Sequence, residues 1–490
     1  MTGVPSNIII PWVGVEFDSS RAQVGSGLMP VNVLVIGQMT SGSGEALTLY
    51  LCNTAEEVAE KFGLGSQIHR MAIYIFKNNT TVPVWFIALA DATGTPAEWE
   101  FTITGPATED GSFIGYVAGQ RYSVSVTDED TATEIGDAWV AKVNLDTELQ
   151  ATFANDAGVI TGTVKNDGVA AGDLDIRFNH NQGEKFPAGV SVGAVTNSVP
   201  GATDPSIADA LAVIGDGWFN VICQPYTDST SMDAVEDFLA TQSGPMVQRD
   251  SLCYQAVRDS QADLITYGQA SARNSQFMSV LGLKESGGEL ECTYEYAAMV
   301  AAAVAASIQE DPAVPLHRMT LSGATVVDVN NRWTPTERNQ LALAGISTLT
   351  HNVGVQTEAT VTMYLKNSAA AADTAYQQQN MIFELMAARY SFVNRILTKY
   401  PRAKLANNAD GLQPGQQIMT EEIGKDEAVA WFIDGQYNGI FEGGSDALSA
   451  FKDALVVLRD TNNVNRINWL LPPDMMNQFI VGSGTLQFRS

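Results

Sequence analysis

The hydrophobic pattern of residues 28–91 predicts strands and helices in alternation. An almost uninterrupted apolar run over residues 31–37 is typical of a strand that is buried on both faces. Thr54, followed three residues later by Glu57, is the signature of a capping box and predicts the start of a helix. A second apolar run over residues 82–89 returns as a strand. This segment is therefore predicted to be the first part of an α/β domain.

The pattern changes over residues 92–195, where short alternating runs are separated by turns rich in Gly, Asp and Asn. The runs cover residues 99–103, 122–126, 159–164 and 174–178. Alternation with a period of two predicts strands buried on one face, and several such strands predict a β-sandwich or small barrel. Because α/β spacing resumes afterwards, we interpret residues 92–195 as an inserted all-β sandwich domain.

Residues 196–332 are predicted to continue the α/β domain. Strands are expected at residues 218–223, 251–257 and 274–281, and helices at 232–240 and 293–308. Strands that alternate with helices favour a parallel or mixed sheet. The most membrane-like stretch lies within the last of these helices and is shorter than the about 20 residues that span a bilayer, so it predicts a core helix.

A further α/β domain is predicted for residues 333–474. Thr334 provides an N-cap, with proline at the next position and Glu337 three residues on, which predicts a helix that ends at Gly345. The remaining expected elements are a long strand at 353–365, a long helix at 377–400 and an amphipathic helix at 447–459.

Both ends of the chain are apolar and almost free of charge. Residues 2–15 contain no charged side chain, and the tail from residue 475 is charged only at Arg489. The apolar side chains are Ile8, Ile9, Ile10, Trp12 and Val13 at one end and Phe479, Ile480, Val481, Leu486 and Phe488 at the other. Unprotected apolar strands are aggregation hazards in monomers. We therefore expect residues 1–27 and 475–490 to be arms that pair with neighbouring chains; the alternative is that each end pairs within its own fold.

Composition and charge exclude several classes of function. The 490 residues include 27 Lys+Arg and 55 Asp+Glu, which gives a net charge of −28. Binding to nucleic acid or to an anionic membrane needs clustered cations, so we expect neither. No basic segment precedes the first apolar run, so no signal peptide is predicted. The four cysteines are far apart and the four histidines scattered, so we expect free thiols, no metal and no cofactor.

Two serines stand in segments that resemble catalytic motifs. Ser191 lies in a GxSxG match, but the surrounding residues alternate like a strand and no helix signal follows. Ser231 lies in a Thr-Ser-Met segment similar to the subtilisin nucleophile motif, without its leading glycine and without the expected histidine context. We interpret Ser191 as a strand residue and Ser231 as a helix N-cap. No catalytic residue is predicted.

Three motifs in the C-terminal half resemble contractile phage tail sheath proteins of the Mu-like branch. They are Glu337-Arg338-Asn339 with Gly345-Ile346-Ser347-Thr348, Tyr400-Pro401-Arg402-Ala403-Lys404-Leu405-Ala406, and Pro473-Asp474-Met475-Met476-Asn477-Gln478-Phe479 with Gln487-Phe488. The match spans residues 175–488 and does not include most of the inserted segment.

The resemblance implies a mixed-sheet, subtilisin-like α/β core without protease activity. It also implies a subunit that polymerises around a tail tube, donates terminal strands to neighbours, and contracts on a signal from the baseplate to drive the tube through the host envelope for genome ejection. The implied partners are further copies, the tube, baseplate and tail terminator proteins, and the implied location is the virion, with assembly in the host cytoplasm. The sheath of a contractile bacteriocin or injection system, another self-assembling coat, and a serine hydrolase are the alternatives.

Charge and periodicity suggest which parts face outward. Residues 92–195 contain 5 Lys+Arg and 16 Asp+Glu, and an acidic surface of this kind is costly to pack against its own copies in a closed lumen. We expect it on the outer wall and residues 333–474 toward the tube. Lys452 and Arg459, seven residues apart on the predicted helix at 447–459, would share one face. They are candidates for contact with the tube, and a solvated helix face is the alternative.

Overall fold

The computed structural model describes residues 29–91, 93–285, 287–408 and 416–488. The chain forms two compact units. Among the described residues, the larger unit consists of 30–386 and 475–488, and the smaller unit of 387–474 with residue 29.

The described residues contain strands and helices in alternation. The strands are β1 (Val33–Gln38), β2 (Leu49–Cys52), β3 (Val84–Leu89), β4 (Pro96–Thr104), β5 (Gly111–Val117), β6 (Gln120–Val126), β7 (Ala151–Asp156), β8 (Val159–Asp167), β9 (Ile176–Phe178), β10 (Ser191–Val192), β11 (Thr196–Val199), β12 (Val221–Cys223), β13 (Leu252–Asp259), β14 (Met278–Lys284), β15 (Ile346–Ser347), β16 (Leu349–Thr350), β17 (Gln356–Thr357), β18 (Lys404–Leu405), β19 (Ile418–Met419), β20 (Val456–Arg459) and β21 (Ile467–Leu470). The α-helices are α1 (Ala55–Phe62), α2 (Gln67–Asn78), α3 (Ala132–Val143), α4 (Ile207–Ala212), α5 (Ser229–Gln242), α6 (Gln261–Gln269), α7 (Thr293–Glu310), α8 (Pro335–Leu343), α9 (Gln379–Lys399), α10 (Glu421–Tyr437) and α11 (Ser445–Ala454).

A mixed seven-stranded sheet forms the centre of the larger unit, in the order β15-β14-β13-β12-β1-β3-β2. All pairs are parallel except β2 with β3. The six residues of β1 are all buried, as expected for a strand covered on both faces. Helix α7 is buried on almost every side and packs against α2 and β13, which explains its Ala-rich, uniformly apolar sequence. The α/β prediction is confirmed.

The inserted segment is not all-β. A five-stranded antiparallel sheet (β10-β4-β8-β7, with β11 also on β4) and a three-stranded sheet (β6-β5-β9) are joined by α3. This helix begins in a complete capping box, in which Thr131 and Glu134 exchange hydrogen bonds. Its Trp139 is fully buried and meets Phe101, Phe113 and Phe153 edge to face. The helix went unpredicted because Gly136 and Asp137 interrupt its apolar spacing.

The boundary expected at residue 333 differs from the observed division of the chain. Helix α8 has the predicted Thr334 capping box and leads directly into β15, the edge strand of the central sheet. Residues up to Met386 therefore belong to the larger unit. The long strand expected at 353–365 is wrong. Only the two residues of β17 form a strand there, paired with β16, and Val361 makes a single isolated bridge to Gln378.

The smaller unit is built around aromatic side chains of α10. Trp431 and Phe432 pack against Phe441 and Phe451, with Phe432 stacked on both. Helix α10 starts at the N-cap Thr420. The predicted helix at 447–459 is wrong beyond Ala454: β-branched Val456 and Val457 instead enter strand β20, which pairs antiparallel with β21.

Within the described part of the chain, no helix combines the length and apolarity needed to cross a membrane.

Candidate assembly surfaces

The segment at residues 475–488, here called the C-terminal arm, exposes most of its apolar side chains. Residues 476–488 form neither helix nor strand. The exposed fractions are 77% for Phe479, 55% for Ile480, 81% for Val481, 91% for Leu486 and 87% for Phe488. All five side chains predicted for assembly at this end are therefore more than half exposed, which is the state that favours pairing with another chain.

The five predicted assembly residues of the N-terminal arm, Ile8, Ile9, Ile10, Trp12 and Val13, lie outside the described residues.

Gln478 contacts the body of the larger unit at the root of the C-terminal arm. Gln478 Nε2 donates to the carbonyl oxygen of Ala313 at 2.9 Å and to Glu384 Oε1 at 2.7 Å. Glu384, on α9, is fully buried. Burial raises the pKa of this carboxyl group to about 8 and outweighs the hydrogen bond from Gln478, which acts in the opposite direction; the negative charge of Asp311 adds to the effect of burial. This contact was not predicted, although Gln478 belongs to a motif that the sequence singled out.

The β20–β21 hairpin of the smaller unit presents an apolar face. Val456, Leu458 and Leu470 are 40%, 55% and 61% exposed, and Val456 lies directly opposite Leu470 in the register. Among the described residues the hairpin has no third strand. Two strands alone are marginally stable, so a further strand on either edge would complete this sheet.

The two candidate tube-contact residues do not share a helix face. Lys452 lies on α11, whereas Arg459 ends strand β20. The Arg459 guanidinium donates to the carbonyl oxygen of Val464 and to Asn407 Oδ1. The shared-face argument therefore fails, because the helix that it assumed ends at Ala454.

Neither candidate serine is placed for catalysis. Ser191 lies in β10 opposite Thr104 of β4 and is exposed. Ser231 lies in the first turn of α5; its backbone N–H donates to Asp228 Oδ1, so the N-cap is Asp228 and not Ser231 as predicted. Asp228 directly precedes the helix and its carboxylate accepts from the N–H of Ser231, so the serine is the capped residue and not the cap. No described hydrogen bond joins either serine to a histidine.

The described residues contain no group of three His, Cys, Asp or Glu side chains that is arranged to hold a metal ion. All four cysteines are free and buried. Burial raises the pKa of the Cys52 thiol to about 11.

Buried charges join the inserted segment to the central sheet. Arg258, on β13, donates through Nε to Asp173 Oδ1 at 3.1 Å and through its two terminal nitrogens to the carbonyl oxygens of Glu289 and Glu291. Asp173 Oδ2 also accepts from the backbone N–H of Thr293, at the start of α7, at 2.7 Å. The contact between the insertion and the central sheet therefore includes an ion pair, with Asp173 on the insertion and Arg258 on the sheet.

A second junction lies at the carboxyl end of β1. Asn166 of the insertion accepts from the N–H of Gln67 at 2.8 Å and donates to the carbonyl oxygen of Met39 and to Asp91 Oδ1. The insertion is thus bonded at several places to the rest of the larger unit.

Two of the family-like motifs have structural roles. In the first, Arg338 forms a two-pronged ion pair with Glu358, and Ser347 joins a buried network with Ser279 and the carbonyl oxygen of Val361. In the second, Tyr400 donates to Glu427. These residues hold loops and helices in place and are not exposed functional groups.

Comparisons with known proteins point to one family. Residues 200–363 match the domain described as "Phage tail sheath protein central domain". The chain is 32% identical over 489 residues to the Mu-like prophage FluMu tail sheath protein of Haemophilus influenzae, covering 99% of this chain and 98% of that protein.

Solved structures of sheath tail proteins are similar to this fold. The sheath tail protein from Listeria innocua matches with a TM-score of 0.50 at 13% identity, covering 92% of each chain. The sheath tail protein from Desulfitobacterium hafniense matches with a TM-score of 0.49 at 15% identity, covering 95% of this chain and 100% of that one.

Proposed function

This chain belongs to the family of phage tail sheath proteins, and we propose that it is the structural subunit of a contractile tail sheath. The sheath polymerises around a tail tube and contracts to drive the tube through the host envelope for genome ejection. The observation that carries this function is the 32% identity to a Mu-like tail sheath protein over 99% of the chain. The work of contraction would come from repacking of subunits, since sheath contraction is a rigid-body transition between two arrangements.

The partners of such a subunit are its own copies first and the baseplate at one end of the polymer. We include the tail tube and the tail terminator among the proposed partners, and assembly in the host cytoplasm before incorporation into the virion. An enzymatic role has no support from the placement of Ser191 and Ser231, described above.

The two arms are the proposed links between subunits. For the C-terminal arm, the support is the exposure of five apolar side chains in a segment without regular structure. An extended segment can gain affinity by adding to an unpaired sheet edge, where its main-chain groups form the ladder. The β20–β21 hairpin of a neighbouring copy is the acceptor that we propose, because it combines free edges with an apolar face.

The inserted segment is proposed to face outward. Its support is the excess of 16 Asp+Glu over 5 Lys+Arg between residues 92 and 195. Residues 387–474 are nearly neutral, with 9 Lys+Arg and 11 Asp+Glu, so this part packs against other subunits and a tube with little repulsion.

Electron microscopy of the purified full-length protein tests the polymer directly, and two arm variants test the links. Deleting residues 479–490 leaves Gln478 in place and is expected to give folded subunits that form no tubes. Val481→Asp is expected to weaken polymerisation strongly, because a carboxylate would be buried in the new sheet.

The matched control is Val353→Asp, since Val353 is 76% exposed in a loop and Val481 81% exposed. Tubes from wild type and the control but not from the arm variants support strand exchange. Normal tubes from both arm variants would exclude the C-terminal arm as a link between subunits. They would not contradict the proposal that the protein is a sheath subunit.

A further inference from the structure

The contact between Gln478 and Glu384 is incomplete in a specific way. Both N–H groups of the Gln478 amide are used, one by Ala313 and one by Glu384 Oε1. The two remaining oxygens, Glu384 Oε2 and Gln478 Oε1, are buried and have no hydrogen-bond partner. Both are acceptors when the carboxyl group is ionised, and a buried acceptor without a donor is costly.

Protonation of Glu384 would provide the missing donor for these two oxygens. A carboxylic acid and a primary amide match each other: the amide N–H donates to the acid carbonyl, and the acid O–H donates to the amide oxygen. The first of these two bonds is present, at 2.7 Å. The two unpaired oxygens belong to the same two groups, so a protonated Glu384 supplies the donor that both lack.

The electrical surroundings of Glu384 favour its neutral form. Helix α9 carries no other charged side chain before Arg389, and the C-terminal arm has none between residues 475 and 488. The charged side chain that raises the pKa of Glu384 is the carboxylate of Asp311, which directly follows α7. The first titratable residue after Asp311 in the sequence is His317. The pKa of Glu384 is raised to about 8, so the carboxyl group is largely protonated at neutral pH.

We propose that Glu384 binds Gln478 as a neutral carboxylic acid through two hydrogen bonds, and that this acid–amide clasp anchors the root of the C-terminal arm to its own subunit and opens when Glu384 loses its proton. The anchored residues end at Gln478, so the stretch free to reach a neighbour starts at Phe479. This last consequence rests on the proposed function; the clasp itself does not.

The clasp can open without loosening the turn that it touches. Asn380, one helical turn before Glu384, accepts from the N–H of Leu316 at 3.2 Å and donates to the carbonyl oxygen of Val314 at 2.6 Å. These bonds hold the 313–316 turn independently. Gln478 and Glu384 therefore act as positioning residues for the arm and not as supports of the core.

Chymotrypsin cleavage of dissociated full-length subunits, followed by mass spectrometry, tests the clasp. Cleavage after Phe479 requires Gln478 to enter the protease and hence the clasp to open, whereas cleavage after Phe488 does not. The ratio of the two rates thus reports opening and cancels the pH dependence of the protease. We expect the wild-type ratio to rise at least about fivefold between pH 6 and pH 9.5, as the buried acid ionises.

Three variants of the clasp and one control variant separate the possible causes of a change in the ratio. Glu384→Gln keeps both hydrogen bonds without a proton to lose, so its ratio should stay low at both pH values. Glu384→Ala and Gln478→Ala should raise the ratio at pH 6 at least about tenfold. Gln487→Ala, an exposed amide of the same arm, is the matched control and should behave as wild type. Circular dichroism of each sample checks that the fold is retained.

A wild-type ratio that does not change with pH, or a rise with pH that persists in Glu384→Gln, would overturn the clasp. Equal ratios for wild type and Gln478→Ala at pH 6 would do the same. Because the assay uses dissociated subunits, it is independent of whether the arm joins a neighbour; the tube assays with Val481→Asp decide that separately.

Discussion

Replacing Asp173 by alanine is the most direct test of how the inserted segment is attached. The substitution removes the charge partner of Arg258, whose side chain is 13% exposed, and an acceptor for the first N–H of α7. The Arg258 guanidinium keeps the carbonyl oxygens of Glu289 and Glu291. The expected result is a destabilised larger unit, although Asp173 lies in the insertion.

The magnitude follows from how far the pair is buried. Removing one partner of a buried ion pair costs about 3–5 kcal/mol. The side chains of Arg258 and Asp173 are 13% and 21% exposed, and Arg258 keeps two carbonyl contacts, so the cost here lies at the lower end, at about 3 kcal/mol. With an unfolding entropy of about 2.1 cal/mol/K per residue, a unit of this size should lose roughly 4 °C in its melting temperature. Calorimetry of dissociated subunits measures this shift.

Asp216→Ala is the matched control, because Asp216 also pairs with an arginine, Arg249 Nη2 at 2.8 Å, but its side chain is 99% exposed. Exposed pairs contribute about 0–1 kcal/mol, so the melting temperature should fall by about 1 °C or less. Asp173→Asn, which retains an acceptor for Thr293, should lie between the two. Equal shifts for Asp173→Ala and Asp216→Ala would refute the view that buried charges join the insertion to the core.

Three further outcomes are expected. Ser231→Ala and Ser191→Ala should leave assembly and contraction unchanged in electron microscopy of triggered particles; loss of contraction by folded, assembled Ser231→Ala would reopen the enzymatic alternative. Trp139→Ala should destabilise the insertion by about 3–5 kcal/mol, measured by loss of tryptophan near-UV circular dichroism on heating, and an unchanged transition would contradict its role as core. The pKa of Glu384 in the folded state, about 8, exceeds the ordinary value of 4.5. Its contribution to stability is therefore present below about pH 4.5 and is lost as the pH rises toward 8, at about 1.4 kcal/mol per pKa unit. The stability advantage of Glu384→Gln in urea should therefore grow with pH over this range, and a constant difference would be inconsistent with a buried neutral acid.

The helices and strands could be predicted from the sequence wherever the local capping and hydrophobic patterns agreed with the packing in the fold. Thr54 and Thr334 each cap the helix that they were expected to cap, because an N-cap depends only on the next few residues. The uncharged run of β1 was equally decisive, since a strand covered on both faces needs no polar alternation. The exposure of the C-terminal arm agrees with what its lack of charge suggested.

The errors arise where distant contacts override local pattern. Residues 447–459 have helical spacing, yet β21 offers Val456 a strand partner that only the fold brings near. The domain boundary at 333 was missed for the same reason, as β15 is two residues long and is defined by its pairing with β14. The attachment of the insertion through Asp173, and the burial of Glu384, depend on residues more than 80 positions away and leave no local trace.

The edges of the central sheet are short, and this limits how the protein can go wrong at high concentration. One edge is the four-residue β2 and the other the two-residue β15. Such edges offer too few free main-chain groups to template a foreign strand. Subunits crowded together before they meet a tube therefore have little opportunity for sideways sheet-to-sheet fusion. The risk of unwanted association therefore lies more with the exposed C-terminal arm and the free edges of the β20–β21 hairpin than with the central sheet.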